Sequence, residues 1–314
     1  MTGPSDTMRA VLDRLALEDR DVADPTTLRP EAGRALATLT NLRWNADLPP
    51  VARAETTMVR DLPARLVVPK NDAGTDGILY IHGGGWALCS AATHEGAARR
   101  LAGACGAAVL TIDYRLAPEH PWPAGLEDCL GAWRGLPCDR RWSVAGDSAG
   151  ANLALAAMIR LLERGGALPA QALLFYGVYG TDFDTPSYLT HADGPGLTRA
   201  KMQRYWDWYA PHAVRSDPTV APLAADDATL AALPPLYLNA AGFDPLRSDT
   251  ERLAARLARL GRDDAFDLVE GVVHGFMQMG SALPEARDAF MRAGKGFRER
   301  AVSEVSPQTR RRER

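Results

Sequence analysis

Ser148 lies at the centre of the segment Gly146-Asp147-Ser148-Ala149-Gly150, between a short apolar stretch and a long helical one. A strand–turn–helix of this composition is typical of a serine nucleophile. The turn is so sharp that the residues two positions away on either side must be almost free of side chain. Gly146 and Gly150 meet that condition. A small-residue turn that only packs a strand on a helix is the alternative interpretation.

A serine hydroxyl needs a base to remove its proton and a carboxylate to orient that base. Of the six histidines, only His274 follows the last predicted strand. Asp244 follows the predicted strand that precedes the last one. The chain order is then serine, aspartate, histidine, which is the order expected with a serine on a strand–helix turn of this kind. Asp249 is the alternative acid, but we expect it to be exposed at a helix start, where it would only complement the helix dipole. Ser148, Asp244 and His274 are therefore the predicted catalytic residues.

The segment His82-Gly83-Gly84-Gly85-Trp86 follows another predicted strand. Consecutive glycines let backbone N–H groups point into a site without obstruction by a Cβ atom, as an oxyanion requires. Ala149, directly after the serine, would add a donor from the start of its helix. A phosphate-binding loop is excluded, because the third glycine is missing at the required offset and no Gly-Lys-Ser/Thr occurs.

The elements that must position these residues alternate between strands and helices. The predicted strands cover residues 64–69, 77–81, 107–113, 143–146, 172–176, 236–241 and 266–270. The predicted helices cover a stretch near residues 8–15 and residues 30–42, 93–105, 125–135, 148–164, 249–260 and 283–297. This alternation indicates a mostly parallel sheet covered by helices on both faces, whose functional residues lie at the carboxyl ends of the strands.

The composition narrows the class of protein. The chain has 314 residues, of which 46% are hydrophobic and 24% charged, which is typical of a globular protein. A formal net charge of -3 provides no strong field for nucleic acid or an anionic membrane. We expect no secretory signal, since residues 1–17 have no basic region followed by an apolar core, and no apolar run approaches the roughly 18 residues of a membrane span. The four cysteines are scattered, so we expect a cytoplasmic protein without metal or cofactor.

Together the motifs resemble the hormone-sensitive-lipase-like family of α/β-hydrolases, in its bacterial carboxylesterase group. The resemblance covers about residues 77–279 and includes the string Asp-Tyr-Arg-Leu-Ala-Pro-Glu-His-Pro at 113–121. It implies an α/β-hydrolase fold and a serine hydrolase that acts on short- to medium-chain carboxylic esters. It also implies that Gly84, Gly85 and Ala149 donate to the oxyanion, and that Gly83 meets a geometric requirement. The residues that the resemblance suggests as supports of the glycine loop are His82, Asp113, Tyr114, Glu119 and His120.

The resemblance further implies a cap, built from residues 1–48 and an insertion at 181–212. The catalytic domain would then comprise residues 49–180 and 213–300, followed by a flexible tail at 301–314. Near its end the insertion carries Tyr205, Trp206 and Tyr209, which could line the substrate pocket or could pack the cap on the body. Trp86, beside the glycines, is a further pocket candidate. Residues 177–180 read Gly-Val-Tyr-Gly where relatives often have a proline-containing turn, which leaves the cap hinge and acyl pocket undefined.

Several activities fit these motifs. An ester hydrolase is the first, and a lactone hydrolase would use the same steps; an amidase is a weaker alternative. A non-catalytic binder is another, since the plant gibberellin receptor resembles this family, but such proteins lose the histidine that is His274 here. A dehydratase is a third alternative, since some plant relatives eliminate water at a related site. Those relatives have replaced the serine at the strand–helix turn, whereas this chain keeps it as Ser148. We expect a small-molecule ester or lactone as the partner, and neither nucleic acid nor membrane; a homodimer stays open.

Overall fold

Eight strands form one sheet in the computed structural model, which describes residues 3–309, with side chains as far as residue 301. In chain order they are β1 (Arg53–Val59), β2 (Leu62–Val68), β3 (Asp76–Ile81), β4 (Ala108–Ile112), β5 (Arg141–Asp147), β6 (Ala172–Phe175), β7 (Leu236–Phe243) and β8 (Ala265–Val273). Their order across the sheet is β1-β2-β4-β3-β5-β6-β7-β8. β2 pairs antiparallel with β1 and β4, and all other neighbours are parallel. The predicted fold class is confirmed.

Helices cover both faces of this sheet. They are α1 (Asp6–Glu18), α2 (Pro30–Asn41), α3 (Glu95–Cys105), α4 (Ala124–Arg134), α5 (Ala149–Glu163), α6 (Pro186–Thr190), α7 (Arg199–Tyr209), α8 (Asp227–Ala231), α9 (Arg247–Arg259) and α10 (Pro284–Thr309). Because side chains alternate along a strand, Leu79 and Ile81 of β3 join one core with α4, α5 and α9. Ile78 and Tyr80 join the other core, with α1, α3 and α10. Within residues 3–309, no helix is both long enough and apolar enough to cross a membrane.

The structure differs from the sequence-based prediction at the first strand and at the last helix. Strand β1 was not predicted, because its sequence is mostly polar and it lies at the sheet edge with few buried side chains. The last helix was predicted to end at residue 297 but continues to Thr309. The remaining residues of the predicted tail, 310–314, lie outside the described residues.

The two N-terminal helices lie in different places. α1 packs on the body of the protein, where Met8 and Val11 are buried in the core that also contains Phe290. The backbone N–H of Ser5 donates to the carbonyl oxygen of Gly271 in β8, and the Ser5 hydroxyl donates to Glu285 of α10. α2 instead reaches the glycine loop. Of the predicted N-terminal cap segment 1–48, α2 is thus the helix that adjoins the site.

Candidate active site

Ser148 occupies the turn between β5 and α5 in a strained backbone conformation, with φ 52° and ψ −120°. The turn is crowded on both sides. A Cβ atom on Gly146 would lie 2.5 Å from the carbonyl carbon of Gly150, and a Cβ on Gly150 would collide with the carbonyl oxygen of Ile81. These collisions are the physical reason for the two glycines. The turn points Ser148 into a cavity at the carboxyl end of the sheet.

The structure brings Ser148, His274 and Asp244 together in one hydrogen-bonded line. His274 Nε2 lies 3.0 Å from Ser148 Oγ, and His274 Nδ1 lies 2.7 Å from Asp244 Oδ2. Asp244 is fully buried, and its other oxygen accepts the backbone N–H of Leu246 at 2.8 Å. A proton on Nδ1 is therefore held by the carboxylate, which leaves the Nε2 lone pair free to accept the serine proton.

Asp249, the alternative acid, is not the exposed residue that the sequence suggested. It is fully buried, because the start of α9 is covered by the segment that follows β6. Its Oδ2 accepts the backbone N–H groups of Tyr179 and Gly180 at 2.9 and 2.8 Å. Burial raises the pKa of Asp249 to about 6, although these two hydrogen bonds act in the opposite direction. The prediction of a surface residue that merely complements the helix dipole is wrong.

Gly84 and Gly85 line the same cavity as Ser148 and His274. Their φ angles of 118° and 60° belong to backbone conformations that glycine adopts without strain. A Cβ on Gly84 would collide with the carbonyl oxygen of Leu88, and one on Gly85 would collide with the ring of Tyr205. Ala149 is the first residue of α5, where backbone N–H groups have no partner within the helix.

Asp147, which directly precedes the serine, fastens the glycine loop to the end of β5. Its Oδ1 accepts the Gly83 N–H and the Tyr80 hydroxyl, each at 2.9 Å, and lies 3.4 Å from His94 Nε2. Burial alone would raise the pKa of Asp147, but His94, Tyr80 and the Gly83 N–H together lower it. A Cβ on Gly83 would lie 2.5 Å from Asp147 Oδ2, which explains the glycine there. Sequence reasoning missed Asp147 and His94; the place of Asp147 inside the serine motif was the available signal.

Three of the five residues that the resemblance suggested as supports lie at the glycine loop or at the segment directly after it: His82, Tyr114 and Asp113. His82 Nδ1 lies 2.8 Å from the carbonyl oxygen of Gly83, and its ring stacks on Tyr114 at 4.5 Å. The Tyr114 hydroxyl donates to the His82 carbonyl at 2.9 Å, and Asp113 accepts the N–H of Ala91 at 2.6 Å. Burial, together with repulsion from His94, lowers the pKa of His82 to about 4, so its imidazole is neutral at pH 7.

The other two suggested supports lie further out. Glu119 forms an ion pair with Arg34 of α2, whereas His120 is exposed. Arg34 also donates to the carbonyl oxygens of Ala87 and Ala117, each at 3.0 Å. Arg34 thus ties α2 to the glycine loop and to the 113–121 string. Sequence reasoning missed this residue, since a lone arginine in an N-terminal helix carries no local signal.

The cavity at Ser148 has a volume of about 140 Å³. Its lining comprises Asn41, Gly84, Gly85, Cys89, His94, Asp147, Ser148, Leu197, Met202, Tyr205, His274, Gly275 and Gln278. Asn41 comes from α2, and Leu197, Met202 and Tyr205 come from the insertion. These two parts of the chain, which the resemblance implies as a cap, supply part of the lining.

Of the four aromatic pocket candidates, only Tyr205 lies on this lining. Trp86 stacks on Tyr209 with ring centroids 4.1 Å apart, and Trp206 packs against both. All three are at most 2% exposed, and the Trp86 indole N–H donates to the buried Asn152. The prediction that Trp86, Trp206 and Tyr209 line the pocket is corrected: they form the packing between α7 and the body, which was the alternative interpretation.

A larger depression of about 930 Å³ lies between the insertion and α9. It is lined by residues such as Asp182, Gln203, Arg215 and Arg252, and it shares no lining residue with the cavity at Ser148. Its size therefore does not bear on the chemistry at the serine. Among the described residues, no group of three or more His, Cys, Asp or Glu side chains could hold a metal ion.

The chain is similar to known proteins over most of its length. The chain matches the alpha/beta hydrolase fold family over residues 78–278. Carboxylesterase NlhH of Mycobacterium tuberculosis is 36% identical over 284 residues, which cover 84% of this chain and 86% of that protein. The chain belongs to the hormone-sensitive-lipase-like family of α/β-hydrolases.

Further relatives of this α/β-hydrolase are also esterases. An ethyl acetate hydrolase of Pseudomonas putida is 32% identical over 244 residues, covering 73% of this chain and 76% of the relative. The structure of a hyperthermophilic esterase from the archaeon Pyrobaculum calidifontis superposes with a TM-score of 0.85 at 29% identity, covering 96% of this chain and all of the other. This α/β-hydrolase is a carboxylic ester hydrolase, which confirms the predicted enzyme class.

Proposed function

We propose that this hydrolase cleaves carboxylic esters through an acyl-enzyme, with Ser148 as nucleophile, His274 as base and Asp244 as the residue that orients His274. The observation that supports this most strongly is the hydrogen-bonded line of 3.0 and 2.7 Å that ends at a serine on a strained turn. His274 Nδ1 bonds Asp244 and not Asp249. Asp249 Oδ2 accepts two backbone N–H groups, and its Oδ1 has no partner among the described residues.

The reaction proceeds in two halves. Ser148 Oγ attacks the ester carbonyl carbon while its proton passes to His274 Nε2; the carbon–oxygen bond to the alcohol then breaks, and His274 returns the proton to the departing alcohol. A water molecule next attacks the acyl group on Ser148 and gives a proton to His274. The bond to Ser148 breaks, the acid leaves, and Ser148 regains the proton. Asp244 stabilises the imidazolium in both halves without itself being protonated.

The tetrahedral intermediates carry a negatively charged oxygen that needs preorganised donors. We assign this role to the backbone N–H groups of Gly84, Gly85 and Ala149. The two glycines adjoin Ser148 on the cavity wall, and Ala149 lies at the N-terminus of α5, where the helix dipole favours negative charge. Asp147 and Arg34 hold the glycine loop in place from two sides.

The cavity size favours small substrates. A volume of about 140 Å³ is close to that of a cavity of about 150 Å³ that binds benzene, so it holds roughly six non-hydrogen atoms. The relative named ethyl acetate hydrolase supports the same size class. We therefore propose short acyl groups, with an optimum at the lower end of the range of about two to eight carbons.

The variant Ser148→Ala tests this function. It should lower the turnover of p-nitrophenyl butyrate by several powers of ten, with a residual rate of about 10³ over water from the oxyanion donors and binding. Ser143→Ala is a matched control: it removes a buried hydroxyl from β5, the strand that leads to Ser148, and that hydroxyl has no hydrogen-bond partner in the described part of the chain. It should keep parental turnover.

Near-normal activity of folded Ser148→Ala would contradict the proposal. A parallel panel of lactones of similar size decides between the two substrate classes that use these steps. Turnover of a lactone that exceeds the best ester would establish lactone hydrolysis as the principal activity.

A further inference from the structure

Two serines join the insertion to the start of α9. Ser187 lies in α6 and Ser248 in α9, and both are at least nine-tenths buried. The backbone N–H of Ser248 donates to Ser187 Oγ at 3.0 Å, and the backbone N–H of Ser187 donates to Ser248 Oγ at 3.2 Å. Neither helix start has a side-chain cap of its own. Each serine therefore satisfies an N–H group that the other helix leaves without a partner.

The Ser187 hydroxyl also reaches the turn that carries the acid. It donates to the carbonyl oxygen of Pro245, the residue after Asp244, at 2.5 Å. The same turn is held internally, because Asp244 Oδ1 accepts the N–H of Leu246 at 2.8 Å and the Asp244 carbonyl accepts the N–H of Arg247 at 3.1 Å. One hydroxyl thus holds both the peptide next to the acid and the first turn of α9.

Asp249, the residue after Ser248 in the first turn of α9, makes a second connection. Its Oδ2 accepts the backbone N–H groups of Tyr179 and Gly180, the two residues directly before the insertion. The next residue back, Val178, has its carbonyl bound by the side chain of Asn152 in α5. The beginning of the insertion and the turn of Asp244 are therefore fixed to each other at two separate places.

We propose that Ser187 and Ser248 are positioning residues for Asp244, so that the first part of the insertion and the catalytic acid form one rigid unit. This proposal rests on the role of Asp244 in the proposed function. The distance from Asp244 to His274 then depends on a helix that is 61 residues away from Ser248 in the chain. An insertion displaced by a few tenths of an ångström would carry the acid with it, whereas a separately hinged cap would leave the acid in place.

Ser187→Ala tests the proposal, because it removes the bond to Pro245 and the acceptor of the Ser248 N–H. We expect kcat to fall roughly 10- to 100-fold with little change in KM, since a displacement of about 1 Å far from the chemistry can cost 10²-fold. The low-field proton NMR signal of the hydrogen bond from His274 to Asp244 should move upfield or broaden. If the two serines only stabilised the fold, Ser187→Ala would change neither the kcat per folded molecule nor this NMR signal.

Thr250→Val is the matched control. It removes a fully buried hydroxyl from the same helix, and among the described residues that hydroxyl has no hydrogen-bond partner. This variant should keep the parental kcat and the parental low-field signal. Ser248→Ala, which leaves the bond to Pro245 intact, should give a smaller fall in kcat than Ser187→Ala and serves as the test if Ser187→Ala does not fold.

Folded Ser187→Ala or Ser248→Ala with parental kcat and an unchanged low-field signal would overturn the positioning role. Asp244→Asn is measured alongside to separate the two proposals. If Asp244→Asn is inactive while both serine variants are normal, only the coupling of the insertion to the acid is wrong. If Asp244→Asn is itself nearly normal, the role of Asp244 in the proposed function is wrong, and the positioning proposal is wrong with it.

Discussion

Asp244 and Asp249 lie five residues apart and are both fully buried, yet their surroundings differ. Asp244 faces an imidazole at 2.7 Å, whereas Asp249 faces two backbone N–H groups and keeps one oxygen, Oδ1, without a partner in the described residues. The sequence could identify Asp244, because it depends only on which residue follows a strand. It could not show that Asp249 is buried, because the cover comes from residues 179–180, which are remote in the chain.

The two aspartates should respond differently to the same substitution. Asp244→Asn keeps the shape of the side chain but favours the wrong tautomer of His274, so we expect a loss of around 10⁴ in turnover. Asp249→Asn should keep most of the activity, since the Asn oxygen can still accept both N–H groups. Both are compared by steady-state kinetics at saturating p-nitrophenyl butyrate. An inactive Asp249→Asn beside a nearly normal Asp244→Asn would reverse the assignment.

Asp249 should also make the stability depend on pH. Because its pKa is raised from 3.8 to about 6 in the folded state, the folded protein binds more protons than the unfolded chain between those values. Its contribution to stability is therefore present below pH 4 and is lost as the pH rises through about 6. Asp249→Asn does not titrate, so its free energy of unfolding relative to the parent should rise with pH. The expected rise is roughly 3 kcal/mol between pH 4 and pH 7 as an upper estimate.

Urea unfolding at several pH values measures this difference. Asp288→Asn is the control, since it removes an exposed carboxyl from α10. The control should show a difference from the parent that hardly changes with pH. A relative stability of Asp249→Asn that falls as the pH rises would show that the buried carboxylate stabilises the fold instead.

At the scale of elements, α7 shows what an aromatic run in a helix can and cannot predict. Trp206 and Tyr209 are three residues apart on one face and pack with Trp86, while Tyr205, one position earlier, faces the glycine loop. The sequence offered both the pocket and the packing interpretation for this run. It could not divide the residues between them, because the rotation of α7 about its axis is fixed by contacts with the body.

Tyr205 should limit the length of the acyl chain. Tyr205→Ala removes the ring that lies against Gly85 and enlarges the cavity at Ser148. We expect the parent to prefer esters with acyl chains of about two to four carbons over octanoate esters. The preference of the variant should shift toward octanoate and decanoate esters. The ratio of kcat/KM values across p-nitrophenyl esters measures this. Gln203→Ala, exposed on the same helix, should keep the parental profile; an unchanged profile in Tyr205→Ala would place the limit on another wall.

At the scale of the whole molecule, the site depends on parts that are distant in sequence. The nucleophile follows β5, the acid follows β7, the base follows β8, and the glycine loop follows β3. This arrangement was predictable, because the carboxyl ends of parallel strands meet at one edge of a sheet. The positions of α1 and α2 were not predictable from the sequence. α1 packs on β8 and α10 through contacts that have no local sequence signal, and α2 reaches the site through Arg34.

Detection of the acyl-enzyme tests the central claim most directly. The parent is mixed rapidly with p-nitrophenyl butyrate, quenched with acid and analysed by mass spectrometry of its peptides. We expect one butyryl group on the peptide that contains Ser148, formed together with about one equivalent of p-nitrophenol, and no such adduct in Ser148→Ala. Steady product formation with the butyryl group on a different residue, or an equal adduct in Ser148→Ala, would contradict the account.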